Sequence, residues 1–163
     1  MSRVRPPLAA APGALALALA LAGCEAGAPA GEGAARLRSQ YHLFGFEQDF
    51  GYAQAVKVGR SLYISATFPV DPQGRLVGAG DLAVQLEAAY ANLGRTLAAN
   101  GADFDNVVRE VIYTTDMDAL LEAAELRFTR YDRSALPSIS WLEVERLADP
   151  GFLVAIEATV ELP

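Results

Sequence analysis

One acidic residue, Glu157, stands in an apolar segment near the end of the chain, where it alternates with Val154, Ile156 and Ala158. A carboxylate among apolar neighbours is paired with a cation, turned towards solvent, or used for chemistry in which it accepts and returns protons. The residues around Glu157 leave these three interpretations open.

The other residue types that commonly do chemistry are scarce. His42 is the only histidine of the chain and Cys24 is its only cysteine. A zinc-type site needs several such ligands, and a nucleophilic triad needs a histidine beside its nucleophile. There is also no glycine-rich phosphate loop. We therefore expect no metal and no cofactor.

The chain opens with the pattern of an export signal. Two cations, Arg3 and Arg5, precede an apolar run that ends at Gly23 and Cys24. The run is too short for a permanent membrane span, which takes about 20 apolar residues. Because the segment Leu21 to Cys24 resembles a bacterial lipobox, we predict a lipoprotein signal peptide over 1–23 and a lipid on Cys24. The alternative is an ordinary secretory signal with an incidental cysteine.

The predicted signal peptide also implies where the protein is located and how it is charged. The mature chain is expected to be exported and lipid-anchored in the bacterial cell envelope, on the periplasmic or outer surface face. Loss of the two signal arginines would move the formal net charge from -7 to -9. Nucleic-acid binding depends on basic residues that neutralise phosphates, so an acidic chain without a basic run predicts no nucleic-acid partner.

The rest of the chain divides into a tether and one domain. The Ala- and Gly-rich segment 24–40 has no apolar periodicity, which predicts a flexible tether, and 41–163 has the length of one domain. Within the domain, Asp81 is expected to cap a long helix that ends at Asn100 and Gly101, and Asp116 or Asp118 to cap a second helix. That second helix is expected to turn Leu120, Leu121, Ala124 and Phe128 inwards. The predicted strands are 52–58, 62–68, 107–115, 139–147 and 152–162.

The resulting order ββαβαββ predicts an α+β fold, with one mixed sheet and two helices on one of its faces. The other face of the sheet is left without cover. Because parallel strand pairs are usually buried on both faces, the bare face predicts self-association.

Several separated segments resemble the RidA/YjgF family, and the resemblance covers essentially the whole domain. The segments, in chain order, are 51–59, 62–65, 68–72, 85–93, 101–102, 107–108, 113–117 and 153–158. The resemblance implies a chorismate-mutase-like homotrimer with three clefts between subunits. In active members these clefts hydrolyse enamines and imines to keto compounds and ammonia.

The resemblance also implies roles for particular residues. The catalytic acid falls on Glu157 and the aromatic residue of the first strand on Tyr52. Ser65 and Asn92 fall where the family has polar groups near or behind the cleft. The arginine that holds the substrate carboxylate is replaced by Ile139, which argues against standard 2-imino acid deamination.

Other residues could contribute to the cleft. Trp141, with Phe152 and Tyr63, either lines an apolar ligand pocket or belongs to the sheet core or interface. Arg133 and Arg146 are candidates to replace the missing cation.

Two hypotheses follow for function. The first is a divergent enamine or imine hydrolase, with Glu157 positioning water. The second is a non-catalytic trimer that binds a small molecule or acts as a scaffold at the envelope. In both, the expected partners are further copies of the chain, a small-molecule ligand, and the membrane through Cys24.

Overall fold

The computed structural model describes residues 38–163. The predicted signal peptide, Cys24 and the first part of the predicted tether lie outside the described residues. The first strand, β1 (Arg38–Tyr41), begins inside the range assigned to the tether, and its residues pair with β2. Strand pairing therefore includes residues 38–40, which the prediction assigned to the tether.

The described chain forms six strands, three helices and two 3-10 turns. In order they are β1, α1 (Phe46–Asp49), β2 (Ala55–Val58), β3 (Ser61–Thr67), α2 (Leu82–Ala99), a 3-10 turn (Phe104–Asn106), β4 (Val107–Thr114), α3 (Met117–Glu122), a 3-10 turn (Ala124–Thr129), β5 (Ser138–Glu143) and β6 (Val154–Glu161). The predicted ββαβαββ order is present, preceded by β1 and α1.

The strands form one mixed sheet in the order β1-β2-β3-β6-β4-β5. Only β4 and β5 run parallel; the other neighbouring pairs are antiparallel. The α+β class and the mixed sheet are as predicted. Since consecutive residues of a strand point to opposite faces, the sheet has one face towards the helices and one face away from them.

The helix face of the sheet carries the core. Along β6, Val154, Ile156, Ala158 and Val160 are buried against α2, whose inward residues include Leu86 and Leu93. The opposite face carries Ala155, Glu157 and Thr159. This alternation places Glu157 away from the helices.

Local sequence signals set the ends of the two main helices. The Asp81 side chain accepts a hydrogen bond from the Val84 backbone N–H (3.1 Å), and Gly101 follows the helix with a φ of 75°. Asp116 caps α3 by accepting from the Ala119 N–H (2.9 Å). Both helix starts and the end of α2 confirm the predictions.

One prediction about side-chain orientation is wrong. Leu121 is 54% exposed, because α3 is short and only Leu120 of that pair turns inwards. In β4, a register shift between Val107 and Arg109 places Val107 in the core and Arg109 on the opposite face. Strict alternation along a strand would put these two residues on the same face, and a β-bulge breaks that rule.

Candidate functional site

Glu157 lies opposite an irregularity in β3. Ile64 pairs with Ala158 and Thr67 pairs with Ile156, so Ser65 and Ala66 together face the single residue Glu157. This two-against-one arrangement is a β-bulge, a feature that often re-aims side chains beside functional sites. The bulge brings together Ser65 and Glu157, two of the residues predicted to act in the site.

The half-buried Glu157 carboxylate is held by a neighbour on β4. The Tyr113 hydroxyl donates a hydrogen bond to Glu157 Oε2 at 2.8 Å. This bond to the carboxylate raises the pKa of Tyr113, with burial adding to the effect and the nearby Arg109 guanidinium opposing it. Glu157 therefore has one oxygen engaged by a neutral phenol.

A groove of about 220 Å³ opens beside this carboxylate. Its lining includes the cation Arg109 and the exposed ring of Tyr63. Its lining residues are Tyr63, Ile64, Arg109, Glu157, Ala158 and Thr159. A carboxylate and a guanidinium thus share one open groove on the face away from the helices.

A second and larger groove, of about 630 Å³, also reaches the bulge. Both bulge residues line it, and so does the predicted site residue Tyr52. Its apolar wall includes the rings of Phe68 and Phe152, which stack with their centroids 4.9 Å apart. Its full lining is Phe50, Tyr52, Ser65, Ala66, Phe68, Gly74, Ala148, Asp149 and Phe152.

The polar groups of this groove have defined surroundings. The Ser65 hydroxyl donates to the Ala53 carbonyl at 2.8 Å, which ties the bulge to the segment before β2. Burial raises the pKa of Tyr52, and the Glu47 carboxylate raises it further. Glu47 is itself buried and accepts backbone N–H bonds from residues 43–45.

Asn92 lies behind the site. It is 1% exposed, and its side-chain amide donates to the Phe68 and Val70 carbonyls, both at 2.9 Å. These bonds tie α2 to the segment that follows β3. Asn92 thus supports the wall of the larger groove from the core side.

The structure does not bring Ile139 and Trp141 to Glu157 within one copy. Ile139 pairs with Glu110, which in turn pairs with Ala158 on the helix face, whereas Glu157 is on the opposite face. Ile139 is 39% exposed and the part-buried Trp141 packs against the core. If one cleft uses both Glu157 and Ile139, they come from different copies.

The two candidate replacement cations are also elsewhere. Arg133 pairs with Glu125 at 3.0 Å and stacks over Phe128, and Arg146 is exposed on the segment after β5. Sequence reasoning missed Arg109 and Tyr113 as neighbours of Glu157. The sequence shows that Arg109 and Tyr113 lie an even number of residues apart in one strand, but only the pairing of β4 with β6 places them beside Glu157.

A second feature that the sequence did not reveal is a buried charge network beneath β4. The fully buried Glu110 accepts hydrogen bonds from Arg127 (3.0 Å), Tyr90 (3.2 Å) and Tyr131. Burial, with the Glu110 charge adding to it, raises the pKa of both tyrosines. This network anchors β4 directly next to Arg109.

Within residues 38–163, no group of three or more His, Cys, Asp or Glu side chains is arranged to hold a metal ion. In the same range, no helix is both long and apolar enough to cross a bilayer.

Comparison with known proteins identifies the family. The family described as Endoribonuclease L-PSP matches residues 46–162. The chain belongs to this family, which is the RidA/YjgF family. This confirms the resemblance drawn from the sequence.

Individual relatives agree with this assignment. Protein DfrA of Myxococcus xanthus is 36% identical over 66% of this chain and 82% of its own length. The 2-iminobutanoate/2-iminopropanoate deaminase of Mus musculus is 34% identical over 61% of this chain and 82% of its own length.

A solved structure shows the same fold. A member of the YjgF/YER057c/UK114 family from Mycobacterium tuberculosis superposes with a TM-score of 0.65 at 31% identity. The match covers 77% of this chain and 99% of that chain.

Proposed function

We propose that three copies of this chain assemble and hydrolyse small imines or enamines to carbonyl compounds and ammonia. The observation that supports this most is the half-buried Glu157 carboxylate, which is oriented by Tyr113 and faces the bulge between two open grooves. The imine deaminase relatives point to the same chemistry.

In this proposal Glu157 manages the protons. It takes a proton from a water molecule as the water oxygen bonds to the imine carbon, and it returns that proton to the nitrogen, which receives the C=N electron pair. Glu157 then moves the hydroxyl proton of the resulting carbinolamine to the nitrogen, the C–N bond breaks with its electron pair going to the departing ammonia, and the C=O bond forms. An enamine enters the same sequence after protonation at carbon. A carboxylate next to an exposed groove suits this role because it can accept and return protons without leaving the site.

The larger groove supports a substrate with an apolar body. Its aromatic wall and volume of about 630 Å³ fit a side chain of several carbons. Tyr52 and Ser65 contribute polar groups to its lining, and Ser65 lies in the bulge opposite Glu157. We assign the substrate's side chain to this groove and its imine carbon to the neighbourhood of the bulge.

Assembly into a trimer completes the cleft in this proposal. Glu157 and Ile139 point to opposite faces of one sheet, so a cleft that uses both needs a second copy. The face that carries Glu157 also exposes the apolar Leu142 (45%) on the edge strand β5, which self-association would cover.

The test is hydrolysis of imines generated in place by an amino-acid oxidase or an amine oxidase, followed as ammonia release. Wild type is expected to exceed the buffer rate, and Glu157→Gln to lower kcat by at least about 100-fold, the usual scale for a proton-transfer group. Glu161→Gln is the matched control, since Glu161 lies on the same strand and bonds only Ser61. Wild-type activity no higher than that of Glu157→Gln would refute the proposal.

A second candidate is binding without turnover, and Ile139 favours it because an aliphatic side chain cannot hold a substrate carboxylate. Thermal shift with a panel of keto acids, ketones and aldehydes tests it, because a ligand at about 100 times its Kd stabilises by roughly 2.7 kcal/mol. Stabilisation by a ketone, with no hydrolysis of the matching imine, would favour the binder.

We also propose that the chain is exported and lipid-anchored through Cys24. The apolar segment before this lone cysteine supports the proposal. Incorporation of a labelled fatty acid that is lost in Cys24→Ser would support it, and equal labelling of both chains would refute it.

A further inference from the structure

We infer that Arg109 grips an anionic group of the substrate, most simply a carboxylate, on the same face of the sheet as Glu157. This rests on the proposed hydrolase function and narrows its substrate class to imino acids and related anions. Arg109 supplies from β4 the guanidinium that position 139 of β5 lacks.

The first argument is position. Arg109 pairs with Thr159, and Glu157 is two residues further along β6 on the same face. Such diagonal neighbours have Cα atoms about 7–8 Å apart, within reach of long side chains. Both residues line the groove of about 220 Å³. A substrate atom in this groove can therefore meet the acid and the cation together.

The second argument is that the guanidinium is available. Among the described residues, no carboxylate comes within 4.0 Å of it and no acceptor takes a hydrogen bond from it. Glu157 instead receives its bond from Tyr113. The Arg127 guanidinium, by contrast, is buried and bound to Glu110. Within residues 38–163, Arg109 is thus an exposed cation that lines the groove with no guanidinium donor engaged.

The third argument is charge. The whole chain is acidic, with a formal net charge of -7, and Glu157 repels an anionic substrate at the point where the reaction takes place. A planar guanidinium can hold a carboxylate through two parallel hydrogen bonds and offset that repulsion. The charge of Arg109 already reaches this site: the pKa of Tyr113 is raised overall, mainly by its hydrogen bond to Glu157, and the Arg109 charge opposes that rise.

The fourth argument is the relation to position 139. Arg109 pairs with Ser138, the residue directly before Ile139. Since Ser138 and Ile139 point to opposite faces, the cation lies close to the Ile139 backbone but on the Glu157 side of the sheet. One copy of the chain can thus supply both the acid and the anion contact.

The test compares two substrates that differ in the carboxylate. These are the 2-imino acid from leucine and the carboxylate-free imine from 3-methylbutylamine, both generated by oxidases. Arg109→Gln is expected to lower kcat/KM for the imino acid by about 10- to 100-fold, mainly through KM. It is expected to change kcat/KM for the carboxylate-free imine by less than about twofold. Arg109→Lys should fall between wild type and Arg109→Gln, because it keeps the charge and loses the fork.

Lys57→Gln is the matched control. Lys57 pairs with the core residue Leu62, so it lies on the helix face of the sheet. Lys57→Gln therefore removes one positive charge, as Arg109→Gln does, without changing the groove. It should leave both substrates unchanged. Calorimetric binding of 2-oxo-4-methylpentanoate gives a readout without catalysis, and Arg109→Gln should weaken its Kd at least about tenfold.

The outcomes separate this inference from the hydrolase proposal. Three outcomes refute the role of Arg109 and leave the hydrolase proposal standing. Arg109→Gln could have the same kcat/KM as wild type on both substrates, or it could lower kcat/KM for both substrates equally. In the third outcome, wild type hydrolyses only the carboxylate-free imine. If wild type hydrolyses neither substrate, the hydrolase proposal fails. The calorimetric Kd then decides on Arg109: a weaker Kd in Arg109→Gln supports it, and an unchanged Kd refutes it.

Discussion

Replacing Arg127 by Met is expected to have opposite effects in two backgrounds. In wild type, the change removes the cation that pairs with the buried Glu110 carboxylate at 3.0 Å and should destabilise the domain. In a Glu110→Leu chain, the same change removes a cation that has lost its partner, and it should stabilise the domain. The sign of the effect thus reports whether the pair behaves as a buried ion pair.

The magnitude follows from the burial of both groups. Glu110 is 0% and Arg127 is 5% exposed, so Glu110→Leu leaves an uncompensated charge in the core. Breaking such a pair costs about 3–5 kcal/mol, and the Tyr90 and Tyr131 hydroxyls also lose their acceptor. At about 3–5 °C per kcal/mol for a domain of this size, the Tm should fall by about 10–25 °C. Adding Arg127→Met should then recover about 3 kcal/mol.

The assay is urea unfolding followed by circular dichroism, at one fixed chain concentration because assembly would add to the stability. The exposed pair of Arg133 and Glu125 is the control, and each single change there should cost less than about 1 kcal/mol. If Arg127→Met destabilises both backgrounds by the same amount, the description of this network is wrong. The network matters for the site because Glu110 fixes the strand that carries Arg109.

Three further predictions concern the core and the larger groove. First, Tyr90 and Tyr131 stay neutral when folded at a pH where the unfolded chain ionises them, so stability present below about pH 10 should fall above it by roughly 1.4 kcal/mol per pH unit for each tyrosine. Urea unfolding between pH 9 and 12 measures this slope. Tyr52 and Tyr113, whose pKa values are also raised, add to it, and Tyr131→Phe should lower it by the share of one tyrosine, roughly 1.4 kcal/mol per pH unit. Second, Asn92→Ala leaves the buried Val70 carbonyl without its side-chain donor and removes one of the two donors of the Phe68 carbonyl, so it should cost about 2–3 kcal/mol in urea unfolding, against about 1 kcal/mol for the less buried Asn100→Ala. Third, Phe152→Ala removes one ring of the aromatic wall and should weaken calorimetric binding of 2-oxo-4-methylpentanoate about tenfold.

Each of these three predictions has a contrary result. A slope unaffected by Tyr131→Phe would mean that this hydroxyl is not buried against a carboxylate. Equal losses for Asn92→Ala and Asn100→Ala would remove the special role given to Asn92. Unchanged binding in Phe152→Ala would place the side chain of the ligand outside the larger groove.

Features that depend on local sequence could be predicted. Asp81 and Asp116 cap helices because a short acidic side chain reaches the free N–H groups of the next turn, and Gly101 ends α2 because glycine accepts a positive φ. The family could also be recognised, since its segments occur in register over the whole domain.

Features that depend on strand partners could not be predicted. The bulge at Ser65 and Ala66 exists only relative to β6, and the shift near Val108 exists for the same reason. Tyr113 and Glu157 are 44 residues apart in the chain, and no local sequence pattern predicts their hydrogen bond. The prediction therefore named Glu157 and Ser65 but not Tyr113 or Arg109.

The position of Ile139 illustrates the same limit. The sequence placed it in the penultimate strand, as the structure does, but could not say which face of the sheet it would occupy. That face is set by the pairing with Glu110, and it separates Ile139 from Glu157 within one copy. The relation between these two residues is thus a question about the assembly.

Mixing of subunits tests the central claim, that Glu157 hydrolyses imines in a cleft whose other wall is β5 of a neighbouring copy. Glu157→Gln and Ile139→Trp chains, the second closing the cleft by bulk, should each be nearly inactive alone. After dissociation and joint reassembly in equal amounts, about one interface in four combines two intact walls, so about a quarter of the wild-type rate of ammonia release should return. No return of activity, with wild type surviving the same treatment, or full activity of Ile139→Trp alone, would contradict the account.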